Sequence, residues 1–95
     1  MIDVKINFLS LLADITKIKE FTLSVPDGTT IKEILERLIS RFGKDFEKKI
    51  LDSPDSLSKY IILGLNGKDI RTLDNLKTHV NHNDEILVLP AIAGG

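Results

Sequence analysis

The chain closes with two consecutive glycines, Gly94 and Gly95, which follow the short run LPAIA at residues 89–93. Glycine loses more conformational freedom on ordering than any other residue, so ordinary packing gives no reason for such a pair. A segment without side chains can pass through a narrow channel and bring a terminal carboxylate to a reaction centre in another protein. That carboxylate would acylate a nucleophile only after activation, for example by adenylation with ATP. The alternative is a frayed terminus, where small residues are tolerated.

A second set of residues that could do chemistry is the pair His79 and His82, with Asp84 close behind. Histidines three apart can hold a metal on a helix, but these lie among turn residues and the chain has no cysteine. We therefore expect a solvated loop here rather than a metal site. No arrangement of serine, histidine and acid stands out, so we expect no catalysis by this chain's side chains alone.

Composition limits the class of protein. Ninety-five residues with 42% hydrophobic content suffice for one domain. The 13 basic and 14 acidic residues are balanced, which argues against nucleic-acid binding. The start MIDVKINF alternates like a strand, unlike a signal peptide, and no apolar run approaches a membrane span. We expect a cytoplasmic protein that binds neither nucleic acid nor a membrane.

Two strands open the chain. Val4, Ile6 and Phe8 alternate with less apolar residues, and the same period of two returns at Phe21, Leu23 and Val25 after a short connection at 14–17. This pattern predicts a hairpin. The PDG turn at 26–28 ends the second strand.

The next segment predicts the main helix. Thr30 and Glu33 have the spacing of a capping box, and Gly43 can take a left-handed conformation that ends the helix. Six apolar residues follow at spacings of three and four on one stripe: Ile31, Ile34, Leu35, Leu38, Ile39 and Phe42. The stripe predicts that the helix lies on the sheet.

The second half of the chain predicts the remaining strands. Residues 44–59 suggest a short second helix and then a loop around DSPDS. A third strand is predicted over 60–65, followed by the Asn-Gly hairpin turn at 66–67 and a brief strand. An irregular stretch with one turn of helix and a turn at 81–84 lead into the last strand, EILVLP, at 85–90.

These elements predict an α+β fold, the ubiquitin-like β-grasp, with a mixed sheet of about five strands and one main helix packed on one face. The last strand is apolar without alternation, which favours a central position beside the first strand, in parallel. We expect a single domain over 1–95 with a flexible Gly-Gly tail from about residue 90. Five strand residues are predicted to face the helix: Val4, Ile6, Phe8, Ile86 and Val88.

The opposite face of the sheet then carries Leu9, Leu87 and Leu89. Residues 44–59 could fold over these side chains, or they could be scattered surface apolars of the kind every protein has. The alternative is an exposed apolar patch that a partner covers. The strands run toward the end of the molecule that carries the tail. This favours the alternative in which a partner covers the patch.

Four segments in this order resemble the MoaD/ThiS sulfur carriers of the ubiquitin-like superfamily: VKINFLSLLADIT from Val4, LSVPDGTTIKEILERL from Leu23, LNGKDI from Leu65 and VNHNDEILVLPAIAGG from Val80. No segment is specific alone, but their order with a terminal Gly-Gly identifies the family. Length and the region 41–59 look more like the molybdopterin synthase small subunit than the thiamin sulfur carrier. Asn83, Ala91 and Lys17 depart from the family's usual glycine, second proline and glycine.

The resemblance implies that Gly95 is adenylated by a ubiquitin-activating-type (MoeB-like) enzyme and converted to a thiocarboxylate. On a MoaE-like large subunit, with a heterotetramer as one option, it would donate sulfur in molybdenum cofactor biosynthesis. The activating partner uses ATP, and this chain is expected to bind no cofactor. The predicted partner-binding residues are Gly94, Ala93, Ile92, Leu89, Leu87 and Leu9.

Other functions stay open at this point. The same activated end could join Gly95 to lysines of other proteins, as in a ubiquitin-like modifier, or serve thiamin synthesis or tRNA thiolation. A third possibility is a β-grasp binding module in which the glycines are incidental.

Overall fold

The computed structural model describes residues 1–91. In chain order the elements are β1 (Ile2–Phe8), α1 (Leu11–Thr16), β2 (Glu20–Val25), α2 (Ile31–Phe42), α3 (Lys44–Ile50), β3 (Leu51–Ser53), β4 (Ser56–Leu57), β5 (Ile61–Leu65), β6 (Lys68–Asp69), 3₁₀ turns at Ile70–Thr72 and Asn75–Lys77, and β7 (Glu85–Pro90). None of these helices is long and apolar enough to cross a bilayer.

Helix α2 begins at the predicted capping box. The Thr30 hydroxyl accepts a hydrogen bond from the Glu33 amide, and the Glu33 carboxylate accepts one from the Thr30 amide at 3.0 Å. The helix ends at Gly43, whose φ of 93° is positive as expected but whose ψ of −169° is extended. The expected left-handed helical cap is therefore wrong, although the Gly43 amide still donates to the Ile39 carbonyl.

The five-stranded sheet confirms the predicted topology, with strand order β2-β1-β7-β5-β6. The last strand, β7, lies in the middle, parallel to β1 and antiparallel to β5. Asn66 and Gly67 have φ values of 52° and 85°, as a tight β5–β6 hairpin turn requires. The first and last strands thus meet at the centre of the fold.

Two connections differ from expectation. The link between β1 and β2 contains the helix α1, which buries Leu12 and Thr16, and is not a plain connection at 14–17. The predicted loop around DSPDS is a small antiparallel hairpin of β3 and β4. Lys32 of α2 forms an exposed ion pair with Asp55 in the turn of that hairpin, so the hairpin lies beside the main helix.

The core lies between the sheet and the helices, and all five residues predicted to face the helix are buried there. Phe8 is at its centre, in edge contact with Phe42 of α2 and Phe46 of α3 at centroid distances of 5.6 and 5.7 Å. Because Phe46 and Ile50 are buried on this side, α3 packs on the core face. The alternative in which residues 44–59 cover the opposite face is wrong for α3.

Candidate functional site

The candidate site is the end of β7, where the chain is held from both sides. The Leu9 amide donates to the Val88 carbonyl at 3.0 Å, and the Ala91 amide donates to the Tyr60 carbonyl at 2.7 Å. Pro90 is the last residue of β7, as predicted, and lies opposite Ile61 of β5. Residue 90 of the predicted tail thus belongs to the sheet, and residue 91 is hydrogen-bonded to the residue before β5.

The predicted site residues beyond this point are Ile92, Ala93, Gly94 and Gly95. They lie outside the described residues, so their roles stay predictions. The structure fixes the position from which this segment starts and the surfaces beside that position.

One such surface is an apolar patch on the sheet face that points away from the helices, formed by Leu9, Ile62, Leu87 and Leu89, and called the outer patch below. Leu89 pairs with Ile62 across the β5–β7 ladder, so both side chains lie on the same face. Leu87 and Leu89 are half-buried and Leu9 is 43% exposed. The structure therefore brings the three predicted contact leucines together and adds Ile62.

The rest of this face is polar. The Lys5 ammonium lies 3.9 Å from carboxylate oxygens of Glu20 and Glu85, and Asn7 and Thr22 stand nearby on the same side of β1 and β2. The outer patch is thus confined to the part of the face beside the exit of the tail.

A second surface beside the exit was not predicted from the sequence. A groove of about 390 Å³, here called the tail groove, runs along Pro90 and Ala91. Leu11 and Tyr60, which are 48% and 56% exposed, line it together with Lys48 and Lys49. These side chains come from α1, α3 and the residue before β5, and no local sequence pattern brings them together.

The two histidines are occupied by local contacts. His79 Nδ1 lies 3.0 Å from the Gly28 carbonyl oxygen, and His82 Nδ1 accepts a hydrogen bond from the Asp3 amide at 3.0 Å. The Asp84 carboxylate accepts hydrogen bonds from two asparagines. Across residues 1–91, no group of three or more His, Cys, Asp or Glu side chains converges as metal ligands would.

The shifted pKa values belong to exposed pairs with structural causes. Hydrogen bonding to Asp55 raises the pKa of Lys32, and the same contact lowers the pKa of Asp55. The backbone hydrogen bond from Thr30 lowers the pKa of Glu33. None of these three groups lines the outer patch or the tail groove. Nothing in their environment points to acid–base catalysis.

The model of the ThiS family matches residues 6–95, from the second half of β1 to the last glycine. The chain belongs to the ThiS family. The match includes the outer patch, the tail groove and the Gly-Gly end, and it confirms the resemblance seen in the sequence.

The relatives carry related names. A protein of Archaeoglobus fulgidus named as a sulfur carrier is 36% identical over 66 residues, which is 70% of this chain and 74% of that protein. The molybdopterin synthase sulfur carrier subunit of Arabidopsis thaliana is 26% identical over 94 residues, covering 99% of this chain and 84% of that subunit.

Among solved structures, the small archaeal modifier protein 1 of Methanosarcina acetivorans superposes with a TM-score of 0.84 at 28% identity, covering 100% of this chain and 98% of that one. The ubiquitin-like β-grasp fold is thereby confirmed. The family is one of sulfur carriers and ubiquitin-like small modifiers.

Proposed function

We propose that this chain is the sulfur-carrying small subunit of a molybdopterin synthase, with the C-terminal carboxylate of Gly95 as its working group. Adenylation and thiocarboxylation of Gly95 would take place in an activating partner, and sulfur transfer to a pterin precursor on a large subunit. The observation that carries the proposal is the position of the outer patch directly beside the anchored end of β7.

Geometry supports a docking role for that patch. Gly95 is four residues beyond Ala91, and four extended residues span at most about 14 Å. A partner must therefore place its reaction centre within that distance of the sheet end. Leu9, Leu87 and Leu89 lie on the sheet face beside that end, and burying them under a partner would supply binding energy.

The chemistry divides between the chain and its partners. A carboxylate oxygen of Gly95 attacks the α-phosphate of ATP, and pyrophosphate leaves. Hydrosulfide then attacks the acyl carbon, the bond from that carbon to the AMP oxygen breaks, and a thiocarboxylate remains. The ATP is bound by a MoeB-like activating enzyme, and this chain needs no cofactor of its own. A MoaE-like subunit would then consume the sulfur.

The test combines the chain with an adenylating enzyme of this type, ATP and a sulfide source, followed by intact mass measurement. We expect a species heavier by the difference between sulfur and oxygen, absent from a variant lacking Gly94 and Gly95. A large subunit and pterin precursor added to the loaded chain should give dithiolene product. No mass change would overturn the carrier role, and loading without product would overturn the molybdopterin role alone.

The second candidate is a ubiquitin-like modifier, because the likeness to small archaeal modifier protein 1 extends over 100% of this chain. In that case a lysine amine attacks the same acyl adenylate and an isopeptide bond forms. Cell extracts would then contain a ladder of conjugates that disappears when Gly94 and Gly95 are deleted. Because the acyl adenylate serves both reactions, a ladder would add this function to the carrier role.

A further inference from the structure

Strand β2 forms one edge of the sheet, with β1 on one side and no strand on the other among residues 1–91. In an antiparallel pair, only every second residue of a strand bonds to its neighbour, and the others point their backbone groups the opposite way. The outward groups of β2 are therefore free for another strand.

The register identifies those groups. The Phe8 amide donates to the Lys19 carbonyl at 2.8 Å, so Phe8 and Lys19 form a hydrogen-bonded pair. Every second pair after it is also hydrogen-bonded. The backbone groups of Phe21, Leu23 and Val25 therefore bond to β1. The residues whose amide and carbonyl groups point outward are Glu20, Thr22 and Ser24.

This edge has neither a bulge nor a proline, two of the features that usually protect one. The six β1–β2 pairs run without a bulge, and β2 contains no proline before Pro26, which lies beyond its end. Glu20, Thr22 and Ser24 are exposed. A regular, uncovered edge of this kind is a template for strand addition.

The strand is complementary to a second copy of itself. An antiparallel arrangement centred on Thr22 pairs Thr22 with its own counterpart and Glu20 with Ser24, so no like charges oppose each other. All the outward amides and carbonyls of both copies are then used, whereas centring on Phe21 or Leu23 leaves some unpaired. On the helix side, Phe21 faces Leu23 of the second copy, and both are only half-buried in the single chain.

Charges on α2 fit the same arrangement. The Arg41 guanidinium lies 4.8 Å from the Phe21 ring centroid, whereas the N-cap Thr30 follows the far end of β2, so α2 runs antiparallel to the strand. Between them is an open groove of about 620 Å³ lined by Leu23, Glu33, Glu36, Arg37, Ser40 and Arg41. The two-fold axis of this arrangement reverses one helix, so Glu33 and Glu36 of one copy lie on the side of Arg37 and Arg41 of the other.

We infer that the chain self-associates through β2, with two copies joined about Thr22 into one continuous sheet. Strand β1 separates β2 from β7, so the outer patch and the tail groove stay accessible in the dimer. The inference goes beyond the carrier function, and its tests do not involve Gly95.

The absence of cysteine allows a clean crosslinking test. Under mild oxidation Thr22→Cys should form a disulfide dimer at least tenfold faster than Ser53→Cys, an exposed control in the β3–β4 hairpin. Ser24→Cys should also be slow, because its counterpart would be about 13 Å away along the strand. Equal rates for all three variants would overturn the inference and leave the edge to a strand from another protein.

A second test measures mass by sedimentation over a wide concentration range. The wild type and Thr22→Val should rise from the monomer mass of 10.6 kDa toward twice that value. Thr22→Pro should stay at the monomer mass, because it removes the central outward donor without removing a bond to β1. Monomeric wild type, or a Thr22→Pro variant that dimerises like wild type, would contradict the inference.

Discussion

The amide of Ala91 donates a hydrogen bond of 2.7 Å to the carbonyl of Tyr60, one residue before β5 begins. This bond extends the β5–β7 ladder past Pro90, which cannot donate one itself. The anchor fixes the point from which the segment that leads to Gly95 starts. The anchored residue lies between the outer patch on one side and the tail groove on the other.

The distance from this anchor to the last glycine should therefore matter. Deleting Ile92 and Ala93 retains the Gly-Gly end but shortens the extended reach by about 7 Å. We expect thiocarboxylation by the activating partner to fall at least tenfold, measured by intact mass over time, with an unchanged thermal midpoint. The length-preserving control Ile92→Ala should keep most of the rate. A shortened chain that loads normally would contradict the fixed-anchor argument.

One leucine of the outer patch has a matched control elsewhere on the surface. Leu9 is 43% exposed in the patch, and Leu73 is 40% exposed in the irregular stretch before β7. Leu9→Asp should reduce kcat/KM for activation at least tenfold, because a charge has to be desolvated under the partner. Leu73→Asp should leave it unchanged. Circular dichroism should show both variants folded, and equal activation of the two would remove the patch from the docking surface.

The capping box gives a stability prediction. Thr30→Ala removes the hydroxyl that accepts from the Glu33 amide, and losing such a cap costs about 1 kcal/mol of unfolding free energy. Urea denaturation should show a lower midpoint with an unchanged slope. Ser40→Ala, at an exposed position inside the same helix, is the control and should change stability by less than about 0.5 kcal/mol. Equal midpoints for the two variants would mean that the box contributes nothing.

The same box should make stability depend on pH. Hydrogen bonds from the Thr30 backbone and side chain hold the pKa of Glu33 below its ordinary value. A carboxyl with a lowered pKa in the folded state stabilises the fold above its unfolded pKa, and this contribution is lost as the pH falls through the folded pKa. Wild type should thus have a higher free energy of unfolding than Glu33→Gln at pH 7. This difference should disappear at acidic pH. Urea denaturation of both proteins at pH 7 and at acidic pH measures this difference. A difference that does not change with pH would contradict the prediction.

Local signals predicted local structure well. Thr30, Glu33 and the apolar stripe specified α2 because a cap and a 3.6-residue period lie within one segment. Helix α1 was missed because its six residues make fewer than two turns, too few to show a period. Pro54 and Asp55 gave a loop signal that concealed the β3–β4 hairpin on either side of them.

Residues brought together by distant segments were harder to predict. The sides of Leu87 and Leu89 were predicted by placing the last strand beside the first, whereas YIIL offered neither alternation nor an assigned neighbour from which the sides of Ile61 and Ile62 could be inferred. The pairing with β7 shows on which face each side chain lies, since Ile62 is opposite Leu89 and Ile61 is buried. The tail groove combines three separate elements, so only the tertiary structure could indicate it.

The central position of β7 has a consequence for synthesis in the cell. Within the sheet, β7 is translated after the other four strands, so β1 and β5 wait for their shared neighbour until its residues have left the ribosome. The outer patch does not exist before that moment, because two of its leucines belong to β7. An activating enzyme that recognises this surface would thus not bind chains in which β7 has yet to join the sheet.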